Sequence, residues 1–181
     1  LVQEGAGSTV TANGVTGSYV DIISQIVYNE MSSTMHPEAM KAQAIAAYTY
    51  IMFNGGSVNN VILKPNPPQN VIDAVSAVAG QALYYDGSYA LTVYGASSGG
   101  ATASAADIWG RQYDYLVSVP SEYDAEYDPY YGVVTYMSVD EVRSRIQNAY
   151  GVSLSANPSN WIRLEVGDSG YVPVSYTHLT L

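Results

Sequence analysis

Residues 18–53 read SYVDIISQIVYNEMSSTMHPEAMKAQAIAAYTYIMF, and this stretch decides the fold. Its first part predicts a helix after a capping Ser18, because apolar residues recur there at helical spacing. That apolar stripe consists of Tyr19, Ile22, Ile23, Ile26 and Val27. Pro37 at a first helical position and Glu38 in the first turn predict a second helix. It extends to Phe53 through Ala, Met, Lys and Gln, which are strong helix formers.

Further along the chain, the hydrophobic period changes from helical to alternating. Asp86-Gly87, between 82–85 and 88–94, is a two-residue hairpin signal, and Asn13-Gly14 follows a candidate strand at Thr9–Ala12. We also expect a strand at 115–119 and a closing hairpin formed by 161–166 and 171–174. These patterns predict an α+β fold, with N-terminal helices that carry Glu30 packed with antiparallel β-hairpins.

Two more helices are indicated by local capping signals. Asn70 is a candidate cap for a short helix over 71–79, which Gly80 would end. Ser138 and Glu141 form a capping box before a helix that reaches Tyr150. The segments 57–68 and 95–106 are expected to be loops because they are rich in Pro and Asn or in Gly and Ser.

The composition excludes several classes of function. The chain has 181 residues, 16 Asp and Glu against 6 Lys and Arg, and a net charge of −10. With no cluster of basic residues to neutralise phosphates, it is not expected to bind nucleic acid or anionic lipid. The absence of cysteine excludes disulfides, thiolate zinc sites and a cysteine nucleophile. The 18 tyrosines suit either sugar-stacking surfaces or core packing.

Glu30 is the first candidate for chemistry, because it occupies the next position of the apolar stripe. Burial against Ile26, Val27 and Met31 would disfavour its charged form and raise its pKa, as a general acid requires. The alternative is that the helix has frayed at this point and Glu30 reaches water. Helical spacing alone leaves both interpretations open.

Gly95-Ala96-Ser97-Ser98-Gly99 matches the G-x-S-x-G pattern of a nucleophilic serine after a strand. The context of a serine hydrolase is missing, since no helical run follows directly. The candidate bases are His36 and His178, and that enzyme class requires the downstream one. We therefore expect a Ser/Gly loop whose backbone N–H groups line a pocket, with a serine hydrolase as the rival.

Two other clusters have a structural and a functional interpretation. The four carboxylates of 121–128 lack the glycine and the bidentate ligand of a calcium loop, so a solvated acidic loop is expected. Trp109, Tyr113 and Tyr115 could form a stacking wall for a saccharide or pack in the core. No metal site and no cofactor are predicted, because the two histidines are far apart and cysteine is absent.

Two motifs resemble the signature of the stage II sporulation protein D family. Glu30-Met31 and HPEAMKAQAIAAYTY at 36–50 are similar to the family's Glu-Met and Pro-x-Glu-Ala-Leu-Lys-Ala-Gln-Ala-Val-Ala-Ala-Arg-Thr-Tyr. YGASSGGAT at 94–102 and the later Trp-Gly and YLVSV of 109–119 resemble Tyr-His-Ser-Thr-Ser-Gly-Gly-x-Thr, Trp-Gly and Tyr-Leu-x-Ser-Val. The resemblance covers 15–120 well.

The resemblance implies a peptidoglycan lytic transglycosylase, a lyase of sporulation and cell-wall metabolism. The family's catalytic glutamate carries over to Glu30. It would protonate the glycosidic oxygen after N-acetylmuramic acid and then accept the proton of the sugar's C6 hydroxyl, which closes a 1,6-anhydro ring. Matching positions that would support or border the glycan cleft are Lys41, Gln43, Tyr48, Tyr94, Ser97, Ser98 and Tyr115. We expect Glu30 to open into a groove that the 95–100 loop lines.

One departure from the family motif supports an alternative to an active transglycosylase. Tyr48 stands where the family has arginine, so a cation that could orient Glu30 is absent. The alternative is a catalytically weakened module that binds the wall or enhances an amidase. Gly95 replaces a histidine that some members use, with cysteines, to bind zinc, and no structural metal is therefore expected.

The resemblance also implies binding partners and a location for the chain. Its expected partners are peptidoglycan glycan strands and a partner amidase or endopeptidase, and its expected location is extracytoplasmic, secreted or anchored to a membrane. We expect one SpoIID-like domain over 1–175, truncated at its C-terminus. Residues 176–181 fit nothing upstream and are interpreted as a tail of foreign origin.

Overall fold

The computed structural model describes residues 2–3, 9–162, 166–168 and 170–171. The helices are α1 Tyr19–Glu30, α2 Pro37–Phe53, α3 Gln69–Ser76, α4 Ala105–Trp109, α5 Asp124–Tyr127 and α6 Val139–Tyr150, with a 3₁₀ turn at Pro158–Asn160. The strands are β1 Val2–Gln3, β2 Thr9–Ala12, β3 Val15–Ser18, β4 Ser57–Val58, β5 Gln81–Ala82, β6 Tyr84–Tyr85 and β7 Ser88–Tyr89. The predicted α+β class is confirmed.

The chain divides into two compact units, Leu1–Tyr94 and Gly95–Leu181, and each is described by itself. The expectation of one family domain over 1–175 stays a prediction. The predicted tail 176–181 lies outside the described residues, as do 163–165 and 172–174 of the predicted closing hairpin.

α1 forms where its stripe predicts it. The Ser18 hydroxyl accepts a hydrogen bond from the Asp21 amide at 3.2 Å, which caps the helix. All five stripe residues are buried, and Ser24 is buried with them. A fully buried Ile or Val stabilises the fold by about 1.5–3 kcal/mol, so this stripe fixes α1 against the core.

α2 begins and ends as predicted. Pro37 occupies its first turn, and His36 Nδ1 accepts from the Glu38 amide at 3.2 Å, so the exposed His36 is a capping residue. The helix ends at Phe53 with Asn54 as its C-terminal cap, and Gly55 follows with a left-handed φ of 76°.

The core of the first unit lies among α1, α2 and α3, which contact one another pairwise. Its central aromatic pair is Tyr19 and Tyr48, both fully buried, with ring centroids 4.9 Å apart in an edge-to-face arrangement. Val10 and Ala12 of β2 are buried in the same cluster. This core therefore fixes α1 and α2, which carry the two parts of the N-terminal motif, against each other.

Small sheets flank these helices. β2 pairs antiparallel with β3 through the turn at Asn13 and Gly14, whose φ values are 50° and 77°. β6 pairs with β7 through Asp86 and Gly87, with φ values of 48° and 75°. Two successive positive φ values are typical of the predicted type I′ turn. The second hairpin is shorter than predicted, because β7 ends at Tyr89.

Two features of the first unit differ from the expectations. β4 lies inside the predicted 57–68 loop and pairs in parallel with β2, which no local pattern indicated. α3 starts at Gln69 after Pro68, so Asn70 does not cap it. Asn70 Nδ2 instead donates to the carbonyl of Ser33 at 2.7 Å and thereby holds the connection between α1 and α2.

The second unit contains α4, α5 and α6. Ser104 caps α4 inside the predicted 95–106 loop, and Ser138 caps α6 as predicted by accepting from the Glu141 amide at 3.2 Å. The predicted strand at 115–119 is wrong, because this segment lacks a continuous ladder. It contacts the chain near Thr102 through single bonds, among them the Thr102 amide to the Val119 carbonyl at 2.8 Å.

Across the described part of the chain, none of the helices combines the length and the apolar character needed to cross a membrane.

Candidate functional site

Glu30 lies at the end of α1, and its side chain is exposed. The backbone leaves the helix at the next residue, since Met31 is extended and its amide still bonds to the Val27 carbonyl at 2.9 Å. The predicted burial of Glu30 is therefore wrong, and the alternative in which it reaches water holds. No further helical turn follows to cover the carboxylate. Asn29 Nδ2 donates to Glu30 Oε1 at 3.2 Å.

Glu30 faces a cleft of about 300 Å³ in the first unit. The walls come from the end of α1, from α2, from the segment after β4 and from the chain after β7. The lining residues are Glu30, Tyr50, Asn59, Asn60, Val61, Thr92, Val93 and Tyr94. The described lining thus combines one carboxylate with phenol, amide and hydroxyl groups, which is a hydrogen-bonding surface for a polar ligand.

Hydrogen bonds from the walls hold the cleft in shape. Thr92 Oγ1 donates to the Ala46 carbonyl of α2 at 2.7 Å, which ties the chain after β7 to that helix. On the other side, Asn13 Nδ2 donates to the Val61 carbonyl. Asn60 adopts a left-handed φ of 66°, a conformation that asparagine tolerates better than most residues. The groups around Glu30 are therefore fixed by elements of the core.

Tyr94 is the titratable neighbour of Glu30 in this cleft. Partial burial of the phenol, the negative charge of Glu30 and the nearby Tyr50 together raise the pKa of Tyr94 to about 12. The Tyr94 residue is 38% exposed, so solvent still reaches it. At neutral pH, Tyr94 is consequently a neutral hydrogen-bond donor beside a carboxylate.

This shift predicts a late step in the alkaline titration of the tyrosines. Because the phenolate is disfavoured in the folded chain, Tyr94 should ionise near pH 12 rather than near the ordinary value of about 10. Between pH values of about 10 and 12, the folded chain keeps the Tyr94 proton that the unfolded chain has lost. The free energy of unfolding therefore falls as the pH rises through that window. Ultraviolet difference titration of wild type and Tyr94→Phe checks it. Loss of a step near pH 10 instead of near pH 12 would contradict the assignment.

Tyr48, predicted to border the glycan cleft, is 0% exposed. Its ring packs against Tyr19 inside the core, and it does not line the cleft that contains Glu30. Direct contact between this side chain and a ligand is therefore not supported, and the prediction for Tyr48 is corrected. The apolar face of α2 places position 48 toward α1.

In the second unit, Ser97 and Ser98 lie on a loop with two left-handed glycines, Gly99 at φ 67° and Gly100 at φ 106°. The Ser97 hydroxyl donates to Asp128, and the Ser98 hydroxyl donates to Asp124. The expected Ser/Gly loop is thus present. In the described residues, the partner of Ser97 is a carboxylate and not the histidine that a serine hydrolase needs.

Residues 16–104, which include Glu30, the whole cleft and the Ser/Gly loop, match the sequence model of the family described as "SpoIID: Stage II sporulation protein". This segment belongs to the SpoIID family. A relative named "Amidase enhancer" from Bacillus subtilis (strain 168) is 30% identical over 99 residues, which is 51% of this chain. The aligned part spans 14% of that protein's length.

Membership of the SpoIID family and the Amidase enhancer relative support a role related to the cell wall. The match crosses from the first unit into the second, since it ends at residue 104. Within the SpoIID segment, Glu30 and Tyr94 belong to one unit and Ser97 and Ser98 to the other. The expected groove between Glu30 and the 95–100 loop stays a prediction.

Lys41 and Gln43, the other predicted residues of the SpoIID motif, lie on α2 outside the lining of the cleft. Lys41 Nζ bonds to Glu38 Oε1 at 2.6 Å, and this bond lowers the pKa of Glu38. The Nε2 atom of Gln43 is buried and has no hydrogen-bond partner among the described residues. The supporting role of Lys41 and Gln43 in the cleft stays a prediction.

The predicted aromatic wall is partly assembled. The rings of Tyr113 and Tyr115 lie edge to face with centroids 5.8 Å apart, and the Arg111 guanidinium lies 5.0 Å from the Tyr113 ring centroid. Trp109, at the end of α4, is 53% exposed. A stacking role for Tyr115 and its neighbours stays a prediction.

Several groups of the SpoIID segment and of the chain after it are not indicated by any sequence pattern. Asn59 and Asn60 lie in the 57–68 segment, which is predicted only as a loop, although an Asn pair is a signal for positive φ. Tyr50 lies within the 36–50 motif, two residues after Tyr48, but the motif assigns it no role in the cleft that it lines. The 121–128 segment was expected to be solvated, but Asp124 and Asp128 are half-buried and bonded to the serines.

Among the described residues, no group of three or more His, Cys, Asp or Glu side chains could hold a metal ion.

Proposed function

We propose that this chain is a peptidoglycan lytic transglycosylase that cleaves glycan strands with Glu30 as general acid and base. The observation that carries the proposal is the position of Glu30. Its carboxylate lines a cleft within the SpoIID segment, beside the phenol of Tyr94 and the amides of Asn59 and Asn60. The enzymatic activity, the substrate and the product are parts of this proposal.

The number of carboxylates supports a transglycosylase over an ordinary glycoside hydrolase. Hydrolases of the usual kinds use two carboxylates that flank the scissile bond. The described lining of this cleft holds one, Glu30. A single carboxyl group suffices when the sugar's own C6 hydroxyl is the nucleophile, because one group can first donate a proton and then accept one.

The mechanism assigns two successive roles to Glu30. As a carboxylic acid it donates its proton to the glycosidic oxygen after N-acetylmuramic acid, and the C1–O bond breaks. As a carboxylate it then accepts the proton of the C6 hydroxyl while the C6 oxygen bonds to C1, which forms the 1,6-anhydro ring. A bound strand would cover the exposed Glu30 and keep water away from the reacting sugar.

The neighbours of Glu30 orient the strand. Tyr94 is neutral at the pH of the cell, so it can donate to a sugar oxygen or to the Glu30 carboxylate after the first proton transfer. Asn59 and Asn60 can bond to hydroxyl and N-acetyl groups, and the Tyr50 ring offers a face for a sugar. Proton transfer contributes about 10²–10⁴-fold, so this positioning must supply most of the remaining acceleration.

A digest of purified glycan strands stripped of stem peptides tests the proposal. We expect soluble fragments whose terminal muramic residue has the mass of the 1,6-anhydro form. Fragments with ordinary reducing ends would indicate a hydrolase and would overturn the transglycosylase assignment.

A non-catalytic role is the second candidate, and two observations favour it. The relative from Bacillus subtilis is named for enhancing an amidase, and Tyr48 stands at the position of the motif arginine. A wall-binding or amidase-enhancing module would sediment with insoluble peptidoglycan and release no soluble fragments.

The proposed substrate also implies a setting for the chain. Glycan strands lie outside the cytoplasmic membrane, so we propose an extracytoplasmic location. An amidase or endopeptidase that removes stem peptides is the proposed partner, because stripped strands are the proposed substrate.

A further inference from the structure

One carboxylate accepts several hydrogen bonds beside the Ser/Gly loop of the second unit. Asp124 accepts from the Ser98 hydroxyl, from the Ser121 hydroxyl at 2.6 Å and from the Gly100 amide at 3.0 Å. Charge-assisted bonds of this kind are about twice as strong as neutral ones. They lower the pKa of Asp124 to about 2, so this side chain is ionised under all ordinary conditions.

A second carboxylate, at the C-terminal cap of α5, binds the neighbouring serine. Asp128 accepts from the Ser97 hydroxyl and from the Tyr130 amide at 2.8 Å. Asp124 and Asp128 are four residues apart, so they lie on one side of α5 and its C-terminal cap. On another side of the loop, the Tyr171 hydroxyl donates to the Ala101 carbonyl at 2.6 Å. The 97–101 loop is therefore held by groups far away in sequence.

These hydrogen bonds determine whether Ser97 and Ser98 can donate a hydrogen bond to a ligand or accept one from it. A serine hydroxyl has one proton and two lone pairs. Since Ser97 and Ser98 give their protons to Asp128 and Asp124, their oxygens can accept hydrogen bonds from a ligand but cannot donate them. Ser97 is exposed and Ser98 is half-buried, so lone pairs of the loop remain accessible.

We propose that Asp124 and Asp128 are positioning residues that hold the 97–101 loop and make Ser97 and Ser98 acceptors for hydroxyl and amide hydrogens of a glycan strand. This inference rests on the proposed function, because it takes the glycan as the ligand. Hydroxyl and N-acetyl N–H groups of amino sugars are donors of the required kind.

The test compares Asp124→Asn with Glu122→Gln in the full chain. Glu122 is an exposed carboxylate of the same segment and serves as the matched control. In Asp124→Asn, hydrogen exchange of the Gly100 amide should become at least about tenfold faster, because the amide loses its charged acceptor. For denuded glycan, the KM should rise about tenfold while kcat changes less than about twofold, since the loop binds and Glu30 reacts. Glu122→Gln should change neither value.

A double-mutant cycle tests the second pair, Asp128 and Ser97. If Asp128 acts through Ser97, then Asp128→Asn with Ser97→Ala should weaken glycan binding no more than Ser97→Ala alone. Additive losses would overturn this role of Asp128. Wild-type exchange of Gly100 in Asp124→Asn, or a loss confined to kcat, would overturn the role of Asp124.

The experiment separates this inference from the proposed function. Binding of each variant to insoluble peptidoglycan is measured in a pull-down alongside the digest. If the wild type binds but releases no product, the proposed function fails, and weaker binding by Asp124→Asn with faster Gly100 exchange still supports the positioning role. If the wild type cleaves glycan and Asp124→Asn cleaves it with unchanged KM, the proposed function stands and the positioning role is refuted.

Discussion

Glu30→Gln is expected to lower the rate of anhydro-product release by about 10²–10⁴-fold, the contribution typical of general acid–base catalysis. The amide has nearly the shape of the carboxyl group, but it can neither donate the proton to the glycosidic oxygen nor accept one from the C6 hydroxyl. The side chain is exposed at the end of α1, so the free energy of unfolding should change by less than about 0.5 kcal/mol. Product masses and urea unfolding measure the two effects separately.

Glu38→Gln is the matched control for this substitution. Glu38 is an exposed glutamate on α2 that bonds to Lys41 and does not line the cleft. It should retain the wild-type rate. A Glu30→Gln variant that cleaves glycan as fast as the wild type would remove Glu30 from the mechanism, and an equal loss in Glu38→Gln would point to an effect of charge in general.

Tyr48→Ala is expected to destabilise the chain by about 3–5 kcal/mol, as large aromatic truncations in cores do. Tyr48 is fully buried, and its ring contacts Tyr19 edge to face at a centroid distance of 4.9 Å. Truncation would leave a cavity between α1 and α2, the two helices that carry the motif. Urea unfolding followed by far-ultraviolet circular dichroism measures the loss.

Tyr48→Phe separates packing from ligand binding at this position. It keeps the ring, so it should cost far less than Tyr48→Ala, about 1 kcal/mol for the hydroxyl. Affinity for peptidoglycan should be unchanged in Tyr48→Phe. Wild-type stability of Tyr48→Ala together with weaker glycan binding would show that the side chain contacts substrate after all.

The helices of the first unit could be predicted because their signals are local. The Ser18 cap and the stripe from Tyr19 to Val27 depend on neighbours within a few turns, and Pro37 marks a helix start by itself. The turns at Asn13-Gly14 and Asp86-Gly87 could also be predicted, the second as a type I′ hairpin, since few residues other than Asn, Asp and Gly adopt positive φ.

The errors lie where distant segments decide the outcome. The stripe predicts the direction of Glu30, but the end of the helix at Met31 exposes it. Tyr48 matched a motif position, yet which face of α2 is buried depends on packing with Tyr19. Asn70 found its partner at Ser33 rather than in its own helix. In each case the sequence pattern is the same for both outcomes, and tertiary contacts select one.

The acidic segment 121–128 is another place where distant residues decide the outcome. Four closely spaced carboxylates are usually solvated, and nothing local distinguishes Asp124 and Asp128 from Glu122. What distinguishes them is the donors of Ser97, Ser98 and Gly100, which lie more than twenty residues earlier in the chain. A site held together by such long-range bonds is visible only in the folded chain.

The most direct test of the central claim, that Glu30 promotes attack by the sugar's own C6 hydroxyl, is a digest of denuded glycan in water enriched in oxygen-18. Intramolecular attack takes no oxygen from the solvent, so the new anhydro-muramic ends should carry no label by mass spectrometry, and Glu30→Gln should release almost none of these fragments. Fragments whose new ends contain oxygen-18 would show that water is the nucleophile and would contradict the mechanism.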